Sequence, residues 1–384
     1  MKHPIFARQG GSWPFLLPVM GLALLMIALA GIPLRTADAA PIQADFTNQD
    51  CVACHGQPNM TMQIGGQPLS VSIDLPRYGV SVHAEEGVGC TSCHADIKSF
   101  PHAAVTAGSP RDFSIQMYTT CKQCHAEQYE KVLDSVHQKA LAGGNTNAAV
   151  CTDCHNPHAQ TRITDQQTGK IRADARLHIP DTCARCHSTI YDDYKQSVHG
   201  KALTEEGNID VPTCIDCHGV HNIQSPTTAS FRNSTPFLCA KCHTDPAVMD
   251  KYGISTHVLD TYVADFHGTT VTLFDKTYPD QPTNKPVCTD CHGIHDIVKV
   301  DDPQAGIALR ENLLGRCQRC HPDATANFPD AWMSHYVPSP EKYPVVYYVN
   351  LFYKFFIPTV LGGMILFVLT DVYRRFIHRG KGKH

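Results

Sequence analysis

The chain has 384 residues, of which 18 are Cys, 23 His, 26 Gly and 26 Pro, so nearly a quarter of it is one of these four types. Charged residues make up 18%, below the roughly 25% of ordinary globular domains, and a net charge of −4 leaves no basic footprint for nucleic acid. With only 15 Phe, 14 Tyr and 2 Trp, aromatic packing alone cannot hold such a length together. At the N-terminus, Lys2 and Arg8 precede an uncharged run from Gln9 to Leu34, and Ala37-Asp38-Ala39 comes after it. That is the order of a secretory signal peptide over 1–39, with an uncleaved anchor as the alternative, and either one exports the cysteine-bearing region.

Every cysteine belongs to a Cys-x-x-Cys pair, and every pair is followed at once by histidine. In chain order the units are Cys51, Cys54 and His55; Cys90, Cys93 and His94; Cys121, Cys124 and His125; Cys151, Cys154 and His155; Cys183, Cys186 and His187; Cys214, Cys217 and His218; Cys239, Cys242 and His243; Cys288, Cys291 and His292; and Cys317, Cys320 and His321. This is the spacing of c-type haem attachment. Two thioethers anchor one porphyrin and the adjacent histidine is directed at its iron. Zinc sites built from cysteine pairs do not require that histidine, and neither does a disulfide framework. The expectation is nine covalently bound haem c groups, packed so densely that the core is stacked haems and the polypeptide is mostly α with extensive irregular loops.

A two-haem unit repeats along the chain. CKQCHAEQYEKVLDSVHQKAL leads to CTDCHNPH, CARCHSTIYDDYKQSVHGKAL leads to CIDCHGVH, and a looser copy runs from CAKCH through DFHG to CTDCHGIH. A degenerate copy spans Cys51 to His102, and a half copy runs from Cys317 to His335. Tyr129, Val132, Leu133 and Val136 fall at helical spacing, as do Tyr191, Tyr194 and Val198, which predicts helices of about three turns whose tyrosines and valines pack on haem.

The remaining histidines of the repeat are of two kinds. His83, His137, His199, His267 and His335 follow the predicted helix or its equivalent, whereas His158, His221 and His295 follow a proximal histidine by three residues and His102 by eight. Nine candidates for nine irons imply coordinatively closed, bis-histidine centres suited to electron transfer, and no residue is nominated as catalytic. His257 rivals His267, while Met60, Met62, Met117, Met249 and Met333 are better read as soft packing. Spacing does not say which distal histidine serves which iron.

Near the C-terminus, 345–371 is largely apolar and reads as a transmembrane helix with Lys354 snorkelling at one interface beside Tyr343, Tyr347, Tyr348 and Tyr353. Arg374, Arg375, Arg379, Lys381 and Lys383 then place the tail inside by the positive-inside rule. The expected layout is a leader at 1–39, a periplasmic haem domain at 40–337, a hinge at 338–344, the helix at 345–371 and a basic cytoplasmic tail at 372–384, in a bacterial inner membrane.

The CxxCH, SVH and CxxCHGxH pattern with a trailing helix resembles periplasmic multihaem c-type cytochromes of the cytochrome c3-like superfamily. More narrowly, it is similar to the multihaem subunit of bacterial quinone-linked cytochrome b/c respiratory complexes. The resemblance covers about Cys51 to Arg375 and departs from quinol-dehydrogenase cytochromes whose anchor is N-terminal. It implies electron transfer between the quinone pool and other periplasmic or outer-membrane multihaem cytochromes, through an integral membrane cytochrome b or another quinone-interacting subunit. The alternative is a nitrite- or hydroxylamine-type oxidoreductase, which needs one open iron.

Overall fold

The computed structural model describes residues 47–98, 101–332 and 335–381; the expected leader, 1–39, Met333 and the final residues of the basic tail lie outside the described residues. The cysteine motifs are turns of helix. The His125 amide donates to the Cys121 carbonyl at 2.9 Å, and the same bond recurs from His94, His155, His187 and His321. Positions i, i+3 and i+4 share a helix face, so both sulfurs and the imidazole of one motif point the same way.

The helices after the motifs are shorter than the periodicity suggests. Ala126–Leu133 and Ser188–Gln196 end before the SVH segments, and new helices start at Val136 and Val198. Serine causes the break: with extended backbone, the Ser81, Ser135 and Ser197 hydroxyls accept from the amides of Ala84, Gln138 and Gly200 at 3.0–3.3 Å. All three serines are buried. Val136 and Val198 therefore belong to the second helix of each pair.

Two devices recur from repeat to repeat. The first is a backbone bond into the next copy: the amides of Val82, Val136 and Val198 donate to the carbonyls of Gln160, Ile223 and Ile297 at 2.7–2.8 Å. The second is an arginine clamp inside each of three copies. Arg111, Arg176 and Arg232, on the helices leading into an odd-numbered motif, meet Asp153, Asp216 and Asp290 inside the following even-numbered motif at 2.7–2.8 Å. The same guanidinium groups donate to the carbonyls of Ala148, Val211 and Lys285. The first copy has Ser92 where the aspartate would stand, and there the Cys90 amide donates to the Asn48 side chain instead.

Side chains alone make little interior. Among the described residues only eleven apolar side chains other than proline are buried, including Ile64, Leu203, Val271 and Val287, and they are scattered through the repeats. One sheet is present among the described residues, an antiparallel hairpin of Thr61–Ile64 and Gln67–Ser70. Its turn, Gly65-Gly66, has positive φ at both positions, as a two-residue hairpin requires.

The last helix, Pro344–Lys381, begins at a proline favoured in a first turn and runs on past the expected end at 371. Its stretch Pro344–Ile377 is long and apolar enough to cross a membrane, and none of its most apolar window is buried against the rest of the chain. Thr359 and Thr370 hydroxyls donate to carbonyls one turn back, which satisfies them without water.

Candidate functional site

The histidines pair one to one. The ring centroids of His55 and His102 stand 6.0 Å apart, those of His94 and His158 6.2 Å, and those of His83 and His125 6.3 Å. His137 faces His187 at 6.2 Å, His155 faces His221 at 6.3 Å, and His199 faces His243 at 6.2 Å. His218 faces His295 at 6.1 Å, His267 faces His321 at 6.4 Å, and His292 faces His335 at 6.3 Å. Each motif histidine thus meets one of the nine candidate sixth ligands, with none shared.

The distance is nearly constant while the angle between ring planes runs from 11° to 58°. That is the signature of a common spacer about which each ring turns freely, not of ring packing. An imidazole nitrogen bonds a metal at about 2.0 Å with the ring centroid about 1.1 Å behind it, so two rings trans on one ion stand about 6.2 Å apart. The residues fit haem iron held between two imidazoles. A four-cysteine zinc site finds no support, because among the described residues no group of three or more His, Cys, Asp or Glu side chains is placed to hold an ion. All eighteen cysteines are free of disulfides.

The pairing follows a rule that the sequence hides. His83, His137, His199 and His267 each face the first motif histidine of the next copy, namely His125, His187, His243 and His321. His158, His221 and His295 point the other way, to the second motif histidine of the preceding copy. Every junction between full copies is therefore crossed twice, in opposite senses. His102 and His335 break the two-kind classification: His102 faces the first motif of its own copy, and His335, in the terminal half copy, faces the motif before it.

Burial favours the ligand form of the rings. It pushes the His199 and His292 imidazoles down to about 4, with the neighbouring imidazole adding to the effect, and lowers His94, His158 and His243 in the same direction. Several rings have a backbone carbonyl at Nδ1, as at His55 with Val71 at 2.8 Å and His83 with Pro157 at 3.0 Å. Such a partner leaves the other nitrogen for the facing side. His178 and His257 are exposed, beside Asp181 and Asp260.

The cysteines run in single file. The thiols of Cys121 and Cys151 lie within electrostatic reach of one another, as do those of Cys183 and Cys214, of Cys239 and Cys288, and of Cys51 and Cys90. Cys93 then neighbours Cys121, Cys154 neighbours Cys183, Cys217 neighbours Cys239, and Cys291 neighbours Cys317. Burial pushes the Cys217 and Cys291 thiols up to about 11, whereas the neighbouring thiol pulls Cys121 down to about 6 and Cys183 to about 7. Sequence reasoning missed the arginine clamp and the tyrosine hydroxyls of Tyr78, Tyr194 and Tyr262, which donate to carbonyls two residues before a second motif. The aspartate within CxDCH was the visible trace of the first.

Helix-turn motifs, facing imidazoles and a thin side-chain core support the class of a multihaem c-type cytochrome, whose covalently bound haem c these residues would hold. Comparison with known proteins agrees: the chain is 26% identical over 209 residues to the multiheme cytochrome MtrA of Shewanella baltica (strain OS185), an alignment covering 50% of this chain and 55% of that protein. The chain thus spans about half the length of this relative. No family model matches, and no solved structure does.

Proposed function

We propose that this is a membrane-anchored nonahaem cytochrome that relays electrons between the quinone pool, through an integral membrane partner such as a cytochrome b, and periplasmic or outer-membrane multihaem cytochromes. The observation that carries the reading is the one-to-one facing of nine motif histidines with nine others at 6.0–6.4 Å. Bound haem c would supply a one-electron ferric/ferrous couple at each pair; the chain holds the two facing imidazoles of each pair and orders the attachment points along its length. The apolar helix Pro344–Ile377 supports anchoring, and the leader and basic tail support a periplasmic haem domain with its C-terminus inside.

The mass of the purified protein tests the number directly: nine haem c groups are expected, and a lower number overturns the reading. Carbon monoxide added to the reduced protein tests closure. Nine closed centres leave the spectrum unchanged, whereas binding at one iron would support a nitrite- or hydroxylamine-type oxidoreductase instead.

A further inference from the structure

Three copies place serine two residues before the histidine that reaches the next copy, and that hydroxyl serves as a helix cap. The fourth copy has Asp265 there. One carboxylate oxygen accepts from the His267 amide at 2.8 Å, keeping the cap, and lies 3.0 Å from His267 Nδ1. The other oxygen accepts from Trp332 Nε1 at 3.0 Å, which fixes the group from the far side. The carboxylate is largely shielded, at 27% exposure. Elsewhere His83 has a neutral carbonyl at Nδ1, as has His102. Among the described residues, His267 is the one member of the facing pairs whose ring nitrogen lies within 4 Å of a carboxylate; His178 and His257, beside Asp181 and Asp260, belong to no facing pair.

We infer that Asp265 is a positioning residue that sets the potential of the haem held between His321 and His267, making it more negative than serine would. This rests on the bis-histidine reading above. A carboxylate held 3.0 Å from Nδ1 places negative charge against the ring, which stabilises the more positive ferric state over ferrous. The pair His267–His321 closes the motif row at the end that leads into the apolar helix. An electron arriving there from a membrane donor is held weakly and passes inward, so only a donor of sufficiently low potential loads the row.

Asp265→Ser tests this by copying the other three repeats and so preserves the cap. Spectroelectrochemical titration of the holoprotein should show one of the nine midpoints moved positive, with all irons still low-spin by electron paramagnetic resonance. Asp265→Asn, which keeps an acceptor but loses the charge, should move the same midpoint by less in the same direction. His267→Ala, run in parallel, should give one high-spin iron. If it does and the Asp265→Ser midpoints coincide with wild type, the inference is overturned and the ligation stands; if His267→Ala gives no high-spin iron, the ligation reading itself falls.

Discussion

A histidine three residues from a motif looks like a local ligand, yet His221 faces His155 in the copy before and not its neighbour His218. Residue type was legible in the sequence: the nine motif histidines and nine partners are the ones that spacing singled out. Partnership was not, because the paired rings lie tens of residues apart and meet only when adjacent copies dock. The two spare histidines of the haem region give a sharp contrast. His178 and His257 are exposed and paired with nearby carboxylates, so replacing either with alanine should leave every iron low-spin. His137→Ala, by contrast, removes the ring facing His187 and should yield one high-spin, carbon monoxide-binding centre. Electron paramagnetic resonance of the three purified variants checks both halves; a high-spin signal from His257→Ala would reassign the ligands of the terminal copy.

At the scale of the element, what joins the two motifs of a copy is a guanidinium and not an apolar face. Arg176 binds Asp216 at 2.8 Å and also donates to the carbonyls of Ile209 and Val211, while Asp216 accepts from the Thr213 amide and hydroxyl as part of a capping box. Only a planar fork can reach all of these at once, so lysine is no substitute. Arg176→Lys should therefore lower stability by about 1.5–3 kcal/mol, the range for hydrogen bonds to charged groups. Arg162→Lys, which leaves a cation for the exposed carboxylate of Glu86, should cost under about 0.5 kcal/mol. Thermal unfolding followed at the Soret band separates the two. Equal losses would show that the clamp is only a surface ion pair. The sequence does hold these arginines, but no periodicity marks them, because the interval from arginine to the following motif is ten residues for Arg111 and seven for Arg176 and Arg232. The serine caps were hidden for a related reason: an apolar stripe running through Val132 and Val136 reads as one helix until Ser135 is seen to end the first and start the second.

Across the whole molecule, the crossed histidine pairs and the single file of cysteines act together. Neighbouring copies are tied in both directions, so no copy pairs both of its own motif histidines, and His102 and His335 face His55 and His292 at the two ends of the described row. The cysteine contacts connect each motif to the next along the chain, from Cys51 and Cys90 to Cys291 and Cys317. Electrons following such a row have no way around a bad site, whereas a branched cluster would offer one. His295→Met exploits this difference. It exchanges the ring facing His218 for a thioether, and a methionine–histidine pair raises the potential of an iron, turning the sixth centre into a trap. Each rise of about 59 mV there makes escape to the next centre about tenfold less favourable. The conductance of single molecules held between electrodes through Gln57→Cys and Glu341→Cys, both at exposed positions, should fall steeply when His295→Met is added. The same trap placed at the end of the row, by His102→Met, should retard only the first contact. A current unaffected by the central substitution would mean that electrons bypass the sixth motif, and the single-file order read from the cysteines would have to give way to a branched one.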